Sequence, residues 1–87
     1  MAVLLVSYDL NKETKRPDIV GEVAKTDWAK LSESSYAIDT GETPEQVYNR
    51  FKKHLDGDDD FWVISLHRPY FGYGPKEVVE WLRARLR

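Results

Sequence analysis

The sequence has no cysteine among its 87 residues. That excludes a disulfide framework, a thiolate zinc site and a cysteine nucleophile, and it fits a reducing, cytoplasmic setting. It also lacks a surplus of either charge. Thirteen basic and 15 acidic side chains leave a formal net charge of −2, which argues against broad, charge-driven coating of nucleic acid. Any nucleic-acid contact must come from a local patch. No long apolar run is present. The longest near the start, Ala2-Val3-Leu4-Leu5-Val6, is far short of a membrane span and has no basic lead-in of the signal-peptide kind. No membrane partner is expected. With only 5 glycines, no Walker-type or dinucleotide glycine pattern appears.

What is present suits one small globular domain over residues 1–87. Apolar residues make up 41% and include 3 Trp, 5 Tyr and 3 Phe, too many for a disordered chain. A chain this short buries only roughly 60–65% of its unfolded surface, so the core is thin.

Residues 3–10 (VLLVSYDL) have almost no polar break, as in a central strand buried on both faces. A charged loop follows. Pro17 then suits the first position of a helix whose apolar residues are Ile19, Val20, Val23 and Ala24. Residues 28–31 and 36–38 read as two short strands joined through Ser32-Glu33-Ser34-Ser35, or as one long bent strand. Thr43-Pro44-Glu45-Gln46 is a capping box with proline at the first helical position, and Val47, Phe51 and Leu55 follow at helical spacing. An acidic turn over residues 56–60 leads into an apolar strand over residues 61–66. After an aromatic loop over residues 67–74, Pro75 opens a last helix carrying Val78, Val79, Trp81, Leu82 and Leu86.

This order predicts an α+β, ferredoxin-like βαββαβ sandwich with an additional C-terminal helix over residues 75–87. The sheet order should be 4-1-3-2, antiparallel throughout, with two helices on one face. The apolar residues of the other face then need cover, from the terminal helix or from a second copy; a homodimer is expected.

The same topology gathers Asp9, Glu33 and the start of the fourth strand, including Asp60, at one edge. Clustered carboxylates are hard oxygen donors of the kind that hold Mg²⁺ or Mn²⁺, and such an ion can activate water against a phosphodiester. On the residues alone, the commoner role of a carboxylate ending a strand is to cap or hydrogen-bond the loop that follows. Lys12, Lys15 and Arg16 lie close to Asp9 in sequence and are the candidates for phosphate contacts. His67 is placed to bond Asp39 at the opposite edge. The aromatic loop, with Tyr70, Phe71 and Tyr73, reads chiefly as an anchor for the terminal helix, with stacking on bases as the less favoured alternative.

The segment VLLVSYDL, the Ser-rich turn with Tyr36, and the acidic turn running into Phe61-Trp62-Val63-Ile64 resemble, in that order, the small CRISPR-associated proteins numbered two. The resemblance covers about residues 2–66, and the virulence-associated protein D toxins share that fold. It implies a ferredoxin-like homodimer and a metal-dependent nuclease on RNA or DNA. Asp9 would be the catalytic residue and metal ligand, helped by Glu33 or Asp60. It also implies a protein partner in a CRISPR adaptation or toxin-type system. Other members of the family are non-catalytic scaffolds. The loop after Asp9 is poorer in arginine than the family's, and no swapped last strand is evident.

Overall fold

A computed structural model describes residues 2–86. Strand β1 (Ala2–Asp9) leads through a 3-10 turn (Glu13–Lys15) into helix α1 (Arg16–Val23). Strands β2 (Asp27–Ser32) and β3 (Ser35–Thr40) follow, then helix α2 (Pro44–Lys52), strand β4 (Asp60–Ser65) and helix α3 (Lys76–Arg85). The strands form one antiparallel sheet in the order β2-β3-β1-β4, the ferredoxin-like arrangement expected from the sequence.

The middle segment is a hairpin, not a bent strand. Its two-residue connection, Glu33 and Ser34, contains no residue with positive φ. A register irregularity between Lys30 and Ser32 accommodates the turn, and the Ser32 and Ser35 hydroxyls bond across it at 2.6 Å. The α2 capping box is complete. Gln46 N–H donates to Thr43 Oγ1 at 3.2 Å, and Thr43 N–H donates to Gln46 Oε1 at 2.9 Å.

Strand alternation divides β1 between two cores. Leu4, Val6 and Tyr8 meet Tyr36 and Ile38 of β3, Ile19 and Val23 of α1, and Val47 and Phe51 of α2. Val3 faces the other way, where it packs with Ala37 and Leu86, joined by Leu66, Tyr70, Trp81 and Leu82. Helix α3 therefore covers the second face, but only in part. Arg85 holds it there. Its Nη2 donates to Asp27 Oδ2 at 2.6 Å, its guanidinium lies 4.3 Å above the Trp81 ring, and Trp81 Nε1 donates to Asp27 Oδ1 at 3.2 Å. Asp39 Oδ2 lies 3.4 Å from Arg85 Nε without hydrogen-bond alignment, so Asp39 Oδ1 and Arg85 Nε are buried without hydrogen-bond partners. Asp39 thus turns to Arg85, and no hydrogen bond joins it to His67 among the described residues.

The expectation that the aromatic loop anchors α3 holds for one of its aromatic residues: Tyr70 packs on the second core with Trp81 and Leu82, whereas Phe71 and Tyr73 stand fully exposed. Arg68 caps the end of α3 from the loop, donating to Leu86 O at 2.9 Å, while Arg85 pairs with Asp27 of the sheet and also donates to Trp81 O of its own helix at 3.3 Å. No helix among the described residues is long and apolar enough to cross a membrane.

Candidate functional site

The candidate site lies where β1 ends. Antiparallel register sets Asp9 directly opposite Asp60. Directly opposed residues project to one face, with Cβ atoms about 4.5–5.5 Å apart. That face also carries Ser7 opposite Trp62 and Leu5 opposite Ile64. Trp62 is 64% exposed and Ile64 49%, because α3 leaves the β4 side of the sheet uncovered. The open face is thus an apolar stripe ending in two exposed carboxylates. Neither Asp9 nor Asp60 accepts a hydrogen bond or forms an ion pair through its side chain among the described residues.

Glu33 shares this end of the sheet but not the carboxylate pair. It sits in the hairpin turn, and β1 and β3 separate that turn from β4. Its exposed carboxylate lies 3.4 Å from Lys30 Nζ. Only its backbone carbonyl turns toward β1, accepting from Tyr8 Oη at 3.4 Å and from Arg16. Among the described residues no three acidic or histidine side chains converge on a metal position. The expected set of Asp9, Glu33 and Asp60 is therefore not assembled within one chain.

The expected phosphate-binding group is also corrected. Lys15 is an internal cation: its ammonium bonds Asp56, Asp59 Oδ2 at 2.7 Å and Asn11 Oδ1 at 3.0 Å. Asp59 in turn accepts from Asn11 N–H at 2.9 Å and Asp56 N–H at 3.0 Å. Lys15 first, then these two amides, lower the Asp59 carboxyl to about 2. Arg16 is similarly occupied. It pairs with Glu13 at 2.6 Å, reaches Tyr8 Oη at 3.3 Å and lies over the Tyr8 ring. Burial, with Tyr36 beside it, raises the Tyr8 phenol above its ordinary value, and Arg16 works against the rise. Lys12 alone of the three remains exposed and without an ion pair among the described residues.

A second charged group, between α1 and α2, was not foreseen from the sequence. The buried Glu22 carboxylate accepts from Arg50 Nη1 at 2.9 Å and Lys25 Nζ at 3.2 Å, with His54 Nε2 at 3.0 Å. Burial acts to raise its pKa, but His54, Arg50 and Lys25 outweigh burial and bring it to about 2. The signal was present in the spacing. Glu22 lies on the helical stripe of Ile19 and Val23, where an acid needs cationic partners. This is a fully paired structural network, with no free group for chemistry.

No protein-family model matches the chain, and neither does any curated protein. Among solved structures it is similar to a hypothetical protein, TT1823, from Thermus thermophilus. The two are 19% identical and superimpose with a TM-score of 0.66 over 85% of this chain and 94% of the other. At that identity the likeness is one of fold.

Proposed function

We propose that the chain acts as a homodimer that cleaves phosphodiester bonds of RNA or DNA, with a divalent cation, Mg²⁺ or Mn²⁺, held at Asp9. The observation that supports this reading is the shared face of Asp9, Asp60 and the open apolar stripe. A dimer that covers this stripe with its two-fold axis near the Asp9 end sets the Asp9 and Asp60 of each copy against those of the other. One or two carboxylates, with water and substrate phosphate, commonly hold Mg²⁺, so Asp9 and Asp60 can supply its protein ligands, and the pair of a second copy adds further hard oxygen donors. The ion, when bound, polarises the phosphodiester and eases deprotonation of water. The chain's own part is to present Asp9 and Asp60 free of competing partners. Arg16 fixes Tyr8 beside Asp9, and Lys12 offers a cation to phosphate. As the family resemblance implies, such a protein works in the cytoplasm with a protein partner of a CRISPR adaptation or toxin-type system.

A second reading is a non-catalytic dimeric scaffold of the same fold. The commitment of Lys15 and Arg16 to internal carboxylates favours it, since few cations remain for a phosphate backbone. Incubation of pure protein with RNA and DNA in Mg²⁺ or Mn²⁺ decides between the two. Cleavage that chelator and Asp9→Asn both abolish supports the nuclease. A dimer by light scattering that cuts neither substrate supports the scaffold, and equal cutting by Asp9→Asn overturns the role of Asp9.

A further inference from the structure

Because β4 runs antiparallel to β1, the loop that follows β4 emerges at the end of the sheet remote from Asp9. There Arg68, Pro69, Tyr70, Phe71 and Arg83 line an open cleft of about 590 Å³. No carboxylate lines it. Arg68 is held in place by uncharged acceptors, donating through Nε to Leu86 O at 2.9 Å and through Nη2 to Arg83 O at 3.4 Å. Among the described residues its positive charge is thus oriented but not neutralised, and Nη1 has no partner. Arg83 is exposed and forms no ion pair among them; Glu80, a turn earlier on α3, is paired with Lys76 at 3.8 Å. Phe71 presents a fully solvated ring at the same cleft.

Two unneutralised guanidinium groups beside an exposed aromatic ring are complementary to a ligand that joins a flat ring to an anion. We propose that this cleft binds one nucleotide unit of a single strand, the base stacked on Phe71 and the phosphate bonded to Arg68 and Arg83. Arginine suits phosphate through its planar fork of donors. An aromatic ring accepts any unpaired base but no base already stacked in a duplex. The net charge of −2 fits a site of this size, since a few local cations can contact one or two phosphates but cannot follow a long backbone. The inference does not depend on the metal reading at Asp9, which concerns the other end of the sheet.

Fluorescence anisotropy with a labelled oligouridylate of about 12 nucleotides tests it. Phe71 and Arg83 are both exposed, so their substitution leaves the fold intact, which an unchanged melting temperature checks. Phe71→Ala should weaken binding about tenfold. Arg83→Gln should weaken it and flatten the salt dependence by about 0.7 in log–log slope between roughly 50 and 200 mM salt. Binding is measured in EDTA, so that divalent-dependent cleavage cannot consume the probe and the outcome stays separate from the cleavage assay. The duplex of the same strand should bind more weakly. Displacement of the strand by uridine monophosphate would identify the free nucleotide as sufficient ligand; failure to displace, with both variants still impaired, would identify the strand. Equal affinity of wild type and either variant overturns the proposal, as does the absence of binding at about 100 μM protein.

Discussion

The Arg50 guanidinium donates to Glu22 Oε1 at 2.9 Å and, through its other nitrogens, to Glu42 at 2.9 and 3.0 Å. One cation thereby ties α2 to α1 and to the loop after β3. Glu22→Gln would leave Arg50, Lys25 and His54 facing a neutral amide, and should cost about 2–4 kcal/mol. Urea unfolding of the variant measures it.

The same pair sets an acid limit. Glu22 has a folded pKa of about 2 against an ordinary 4.5, so its stabilisation is complete above 4.5. It is lost as pH falls toward 2, because the unfolded chain takes up the proton first. Asp59, lowered from 3.8 to about 2, acts in the same direction. The urea midpoint should fall between pH 5 and 2, and Glu22→Gln should flatten that decline.

Removing the charge of Arg85 with Arg85→Met should loosen α3. Asp27 and Asp39 are cross-strand neighbours, and without Arg85 two like charges face each other. A loss of about 1–3 kcal/mol is expected, with faster hydrogen exchange in α3 and partial recovery on adding Asp39→Asn.

Gly21 lies inside α1, is exposed, and has open space where a Cβ would stand. Gly21→Ala should therefore stabilise the protein by about 0.5–1 kcal/mol, seen as a higher urea midpoint at unchanged slope.

Trp62→Arg puts a charge in the middle of the open stripe. If that stripe joins two copies, light scattering should report a monomer at concentrations where the wild type is a dimer. Divalent-dependent cleavage should disappear with the dimer.

Local chemistry was readable in the sequence because its partners are near in the chain. The Thr43 and Gln46 box spans four residues and is legible as such, and the unbroken apolarity of β1 announces a strand with cores on both faces. The sheet order followed from the sequence of elements. The charged residues were harder. Lys15 meets Asp56 and Asp59 from 41 and 44 positions away, so in sequence it looked like a solvated cation available to phosphate. Arg85 meets Asp27 across 58 positions, so no local pattern in the sequence shows that pairing. Asp9 and Asp60 could be placed at one edge, but an edge says nothing of where a side chain turns, and the Glu33 carboxylate turns to Lys30.

The contacts of α3 with Asp27 also bear on the order in which the chain folds. Trp81 and Arg85 reach residues 54 and 58 positions back, so closing that loop yields little until β2 and β3 are already paired. The helix is then a late arrival, largely unformed in the folding transition state. Substitutions that weaken its seat should leave the refolding rate nearly unchanged and appear in the unfolding limb of the chevron. A short chain with a thin core should then owe much of its kinetic persistence to the last helix it makes.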